Sequence, residues 1–173
     1  MVGAYERLYK TPEIAAILTN HDENAVADMR LLVNDHVAFA SKYADWFEEM
    51  EFDSDWYALI AAYFIVGYET KYKYGAYIDW KEASEEIVWG LNDAALHLGY
   101  TLNLGEVAFD DSDFTDVALR KIHNFLLTKG YSLVNWDTES DCYHLFIVPT
   151  EKYDALVQLG KSMGIRLCST TFE

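Results

Sequence analysis

Tyr131-Ser132-Leu133-Val134-Asn135-Trp136 and Cys142-Tyr143-His144-Leu145-Phe146-Ile147-Val148 stand on either side of Asp137-Thr138-Glu139-Ser140-Asp141. Both flanks are short, apolar and rich in β-branched and aromatic side chains, which suits strands. The middle is polar, and Asp and Ser can bond turn amides with their own side chains. The stretch therefore predicts a β-hairpin. After Pro149, Thr150 caps a helix whose apolar stripe is Tyr153, Leu156, Val157, Gly160 and Met163. Glycine on that stripe predicts close approach of the helix to a sheet. Gly164 ends the helix, and residues 165–169 make a last short strand. Hairpin, helix and strand together specify an α+β fold with a mainly antiparallel sheet.

Toward the N-terminus the pattern is helical. Thr11-Pro12-Glu13 has the form of a cap, a first-turn proline and a first-turn acid, opening a short helix to about Leu18. Asp22 caps a second start. Val26, Met29, Val33, Val37, Ala40, Ala44, Phe47 and Met50 recur at three- and four-residue steps, which predicts one long amphipathic helix. Asp53 or Ser54 starts the next, whose body, residues 56–66, is apolar nearly all round and belongs at the centre. Residues 72–80 switch to a period near two and predict the first strand. Helices follow over residues 84–98 and from a cap at Asp113. Leu98-Gly99-Tyr100, Lys129-Gly130-Tyr131 and Met163-Gly164-Ile165 end three helices alike, with a left-handed glycine and an apolar residue that packs back. No linker or repeat interrupts the chain, so a single domain over residues 1–173 is expected, its helical N-terminal half packed on the sheet.

The composition supports a large core. Of 173 residues 51% are hydrophobic and 16% aromatic, enough to bury a core without disulfides or metals. Cys142 and Cys168 form no framework and are expected as buried, reduced thiols. The longest apolar run, residues 56–68, is too short to span a bilayer, and the first residues lack the pattern of a signal peptide. A cytoplasmic protein without a membrane partner is expected. The net charge is -16, from 29 acids against 13 Lys and Arg. That sign repels phosphates and argues against direct nucleic-acid binding, while it suits a basic protein partner.

Signatures of catalysis are absent from the pattern. His21, His36, His97, His123 and His144 never pair at metal-ligand spacing. No phosphate-binding loop and no nucleophile elbow occurs. Asp110-Asp111-Ser112-Asp113 has calcium-like composition but lacks the central glycine and terminal glutamate of a calcium loop. No cofactor and no metal is expected. A Ser-His-Asp triad or a carboxylate pair would need only proximity in space, and the pattern promotes no member of either.

Charge patterning is more informative. Between Tyr43 and Thr70 there is no Lys or Arg, and between Glu82 and Leu119 there is again none. The first run holds Glu48, Glu49, Glu51, Asp53 and Asp55, and the second holds nine acids from Glu82 to Asp116. Trp46, Trp56, Trp80 and Trp89 are interleaved with them. Such runs are ordinarily solvated faces. Carboxylates beside aromatic anchors also suit a surface that receives Arg and Lys. The hairpin turn has the same two readings: Asp137, Glu139 and Asp141 serve their own backbone, or they receive a partner with Trp136 as anchor.

Residues 130–149, with Asp-Thr-x-Ser-Asp-x-Tyr at Asp137 to Tyr143, resemble an uncharacterised bacterial domain family. Ile78-Asp79-Trp80-Lys81 is similar to it too, and the likeness covers about the last hundred residues. It implies an α+β fold and a bacterial origin without an activity. Small acidic bacterial proteins of this class are often immunity proteins or other inhibitors. The expected function is therefore a non-enzymatic acidic binding protein of that kind. An enzyme of unrecognised type and a scaffolding subunit are the alternatives, and the oligomeric state stays open.

Overall fold

The computed structural model describes residues 8–53 and 56–169. The first half contains α1 (Thr11–Leu18), α2 (Glu23–Asn34), α3 (His36–Lys42), α4 (Ala44–Met50) and α5 (Tyr57–Val66). Then come β1 (Gly75–Asp79), α6 (Ser84–His97), α7 (Thr115–Thr128), β2 (Tyr131–Asp137), β3 (Cys142–Pro149), α8 (Thr150–Met163) and β4 (Arg166–Cys168). The strands form one sheet in the order β1-β3-β2-β4, and every neighbouring pair is antiparallel. The α+β expectation holds. The first strand is shorter than expected, because only residues 75–79 pair.

The central hairpin is buried on both faces. Val134, Trp136, Phe146 and Val148 point into a core shared with α1, α2, α5 and α8. Leu133, Leu145 and Ile147 point the other way, against Ile87 and Leu91 of α6 and Ala118, Leu119 and Ile122 of α7. Strands covered on both sides read as continuous apolar runs, and this explains Leu145-Phe146-Ile147-Val148. The sheet is thus sandwiched between two helical layers, whereas the sequence pattern specified only the N-terminal one.

The long helix of the sequence reading is three helices, α2, α3 and α4. The first break lies at Asp35, whose Oδ1 accepts the Ala38 N–H at 3.0 Å, and the second at Tyr43 between α3 and α4. An Asp side chain offers the backbone this alternative to continued helix. The new cap resets the helical phase. Phe39 becomes fully buried, and Val37, expected on the apolar stripe, is 65% exposed. Asp22 caps α2 as expected, accepting from Asn24 and Ala25 N–H. Thr11, Asp113 and Thr150 are not caps. Thr11 and Thr150 are the first helical residues, and Asp113 precedes Phe114 and accepts the Asp110 N–H instead. Ser54, the other expected start of the fourth helix, lies outside the described residues.

The repeated helix ending is present at all three sites, with positive φ at Gly99, Gly130 and Gly164. The Tyr100 N–H reaches back to Ala95 O at 2.8 Å, and the Ile165 N–H to Gly160 O at 2.9 Å. Gly160 is where α8 meets the chain entering β4. A methyl group there would sit 2.8 Å from Ile165 O and 3.1 Å from Leu167 Cδ1. Backbone cannot yield as a flexible side chain does, so overpacking results. Gly160→Ala is expected to lower stability by about 1–3 kcal/mol, read as a lower urea midpoint at unchanged slope. An unchanged midpoint would contradict the close approach.

Candidate functional site

Trp136 is 1% exposed and packs in the core. The expectation that it anchors a partner is corrected. Its strand alternates, and Trp136 shares the inward parity of Val134. The turn itself follows the local reading at Asp137. Asp137 Oδ1 accepts the Glu139 N–H at 2.8 Å, and Oδ2 pairs with Arg166 Nη1 at 3.0 Å. Thr138 and Ser140 bond each other at 2.9 Å, and Glu139 takes a left-handed φ of 61°. The carboxylates of Glu139 and Asp141 are on exposed residues. The turn closes one end of a cleft of about 760 Å³, whose other walls include Trp56, Leu59 and Met163.

The first acidic run is dispersed. Glu48 and Glu49 lie exposed on α4, Glu51 follows it with φ 51°, and Asp53 is exposed beyond it. Asp55 lies outside the described residues. Glu48, Glu49, Glu51 and Asp53 do not line the hairpin cleft, so the structure does not bring these four together with Asp137 and Glu139. Trp46 is a core residue, its indole N–H donated to Tyr68 O at 3.1 Å.

The second run is partly neutralised in space. Lys121 binds Asp110 at 2.9 Å and Asp113 at 2.6 Å, Lys129 reaches Glu106 at 3.3 Å, and Lys73 reaches Asp93 at 3.1 Å. The Lys121 hydrogen bond holds the Asp113 carboxyl below its ordinary range. An ammonium thus occupies the centre of the calcium-like segment. Among the described residues no three His, Cys, Asp or Glu side chains gather as a metal site would require.

A groove of about 290 Å³ lies between α6 and the turn that leads from α5 to β1. The acids Glu82, Glu86 and Asp93 stand on the α6 side, and Glu69 stands on the other. Trp89, 66% exposed, lies between the α6 acids. Glu69, Glu82 and Glu86 have no ion pair among the described residues. Lys73 crosses this groove: its ammonium pairs with Asp93 and lies 6.0 Å from the Trp89 ring centroid. This places a cation near an indole and beside a carboxylate.

Two buried polar groups were invisible in the pattern. Asp28 of α2 accepts Lys42 Nζ at 2.6 Å, Tyr43 Oη at 2.7 Å and Tyr72 Oη. Burial alone would raise its pKa, and the hydrogen bonds from Lys42, Tyr72 and Tyr43 outweigh that and lower it. The group ties α2, α3 and the segment before β1 together. His144 of β3 is fully buried against the rings of Tyr63 and Tyr77, at 4.5 Å and 5.3 Å between centroids. Neither of its ring nitrogens has a hydrogen-bond partner. Burial pushes its pKa down to about 4. Beside it, Tyr77 Oη donates to Cys142 Sγ at 2.9 Å. The parity of His144 with Phe146 and Val148 was the available signal.

A family model described as Domain of unknown function (DUF6630) matches residues 11–171, so the likeness extends through the N-terminal helices as well as the last hundred residues. No curated protein and no solved structure matches the chain. No helix among the described residues is long and apolar enough to cross a membrane.

Two predictions follow from these side chains. Asp137→Ala removes a turn bond and a half-exposed ion pair, and should lower stability by about 0.5–2 kcal/mol in urea unfolding. No change would show that the turn holds itself without Asp137. His144 stays neutral in the fold, while the unfolded chain takes up its proton near the ordinary value of 6.5. Its contribution is therefore complete above that value and is lost as pH falls from there toward about 4, by about 3 kcal/mol in all. Urea midpoints across this window should fall more steeply in the native chain than in His144→Phe. Parallel curves would contradict the burial of an uncharged imidazole.

Proposed function

The chain belongs to the DUF6630 domain family, and we propose that it is a non-enzymatic acidic binding protein that docks on a basic protein partner. The observation that carries this is Lys73 in the α6 groove. The molecule places its own cation against Asp93 and Trp89, and among the described residues Glu69, Glu82 and Glu86 beside it have no ion pair. An incoming Arg or Lys would find carboxylates on both sides of the groove. The net charge of -16 supports the same reading at long range, because it steers a basic partner toward the surface. An immunity protein or inhibitor that occupies a basic surface, in a bacterial cytoplasm, is the form we favour.

The carboxylates of half-buried Glu82 and exposed Glu86 are the levers. Glu82→Lys with Glu86→Lys reverses the α6 wall while leaving the core of α6, Ile87 and Leu91, untouched. Binding of a Lys-rich peptide should weaken by about tenfold or more in this variant. The native affinity should itself fall between about 50 mM and about 300 mM salt, as screening shortens the reach of surface charges. Calorimetric titration reads both. Equal affinity of the native and reversed proteins would remove the groove from the binding surface.

A further inference from the structure

Of the two outer strands of the sheet, β1 forms the floor of the acidic groove. Its free side can be assigned. The His144 N–H turns toward β2, where Asn135 Oδ1 accepts it at 3.0 Å. Backbone groups of one residue in a strand point to one side. His144 therefore directs nothing to β1, and Tyr77, directly opposite it, is in a non-hydrogen-bonded pair. Tyr77 and Gly75, two residues away, send their N–H and C=O groups outward, while Ala76 and Ile78 face β3. No backbone bond outside the sheet ladder involves Gly75 or Tyr77 among the described residues.

An exposed edge is a template for another strand, and folds ordinarily blunt it with charge or cover. Here the flanking charge is acidic and the cover is split into two walls. A strand laid against β1 would alternate its side chains between those walls. One set would meet Tyr68 and Tyr77. The other would meet Glu86, Trp89 and Asp93 on α6 and Glu82 just before it. We propose that the outer edge of β1 takes up an extended basic segment of a partner protein as a fifth strand, with Lys or Arg at alternate positions facing α6 and apolar residues between them. Main-chain bonds to Gly75 and Tyr77 would give affinity, and the two walls would give the alternating specificity. Lys73 is displaced from Asp93 by the partner's cation. The inference rests on the basic-partner reading above and adds its mode.

The test uses the full chain, labelled for amide hydrogen exchange by NMR, and three peptides of about eight residues. One alternates Lys and Val. The second has the same composition in two blocks. The third is the alternating peptide with every second backbone nitrogen methylated, made in both of the two possible registers. The alternating peptide should bind at least about tenfold more tightly than the block peptide and slow exchange at the Gly75 and Tyr77 amides. Ala76 and Ile78, already bonded to β3, should change little. At least one of the two methylation registers should abolish the protection. Tight binding of the alternating and block peptides alike, with no protection at Gly75 and Tyr77, would overturn strand addition and leave basic docking standing. Failure of all three to bind would overturn both.

Discussion

Burial of β2 and β3 on both faces is the constraint on which the rest of the structure depends. Consecutive side chains from Leu145 to Val148 are fully buried, so neither face of the hairpin can meet water. Each face needs its own helical layer. The N-terminal helices and α8 supply one, and α6 and α7 supply the other. β1 then falls at the margin, beside β3, with α6 crossing close above it. A methyl group added at Gly90 of α6 would meet Ala76 Cβ at 3.2 Å, so a larger residue there would lift the helix from the strand. The groove and its floor are consequences of this arrangement.

The features legible in the sequence were those decided within one or two turns of chain. The hairpin, the three glycine endings, the Asp22 cap and the approach at Gly160 all depend on residues close in sequence. The failures share a different cause. A three- and four-residue stripe runs through residues 26–50, yet a side-chain bond at Asp35 interrupts the helix and turns Val37 out and Phe39 in. Periodicity reports the mean phase of a segment and cannot register one competing cap. The second helical layer had a signal in the continuous apolar run from Leu145 to Val148, but such a run does not say which helices cover each face.

Charge was legible in total and misleading locally. The second acidic run contains no Lys or Arg, but Lys73, Lys121 and Lys129 reach into it from outside. Asp93, Asp110, Asp113 and Glu106 have ion pairs, whereas Glu82 and Glu86 have none among the described residues. Trp136 was the wrong aromatic, because strand parity sends it inward, whereas Trp89 projects from a helix whose other face carries Ile87 and Leu91 into the core. An aromatic on the solvent side of an acidic helix, already under a lysine, gives the acidic surface a chemical preference that net charge alone does not.

The central claim is that the α6 carboxylates and a partner's cations recognise each other directly. A double-mutant cycle measures that most directly, pairing Glu86→Gln in the protein with Lys→Met at each position of the alternating basic peptide in turn. The account predicts a coupling of about 0.5–3 kcal/mol at one or two positions of the same parity, diminishing with salt. Coupling indistinguishable from zero at every position would contradict it.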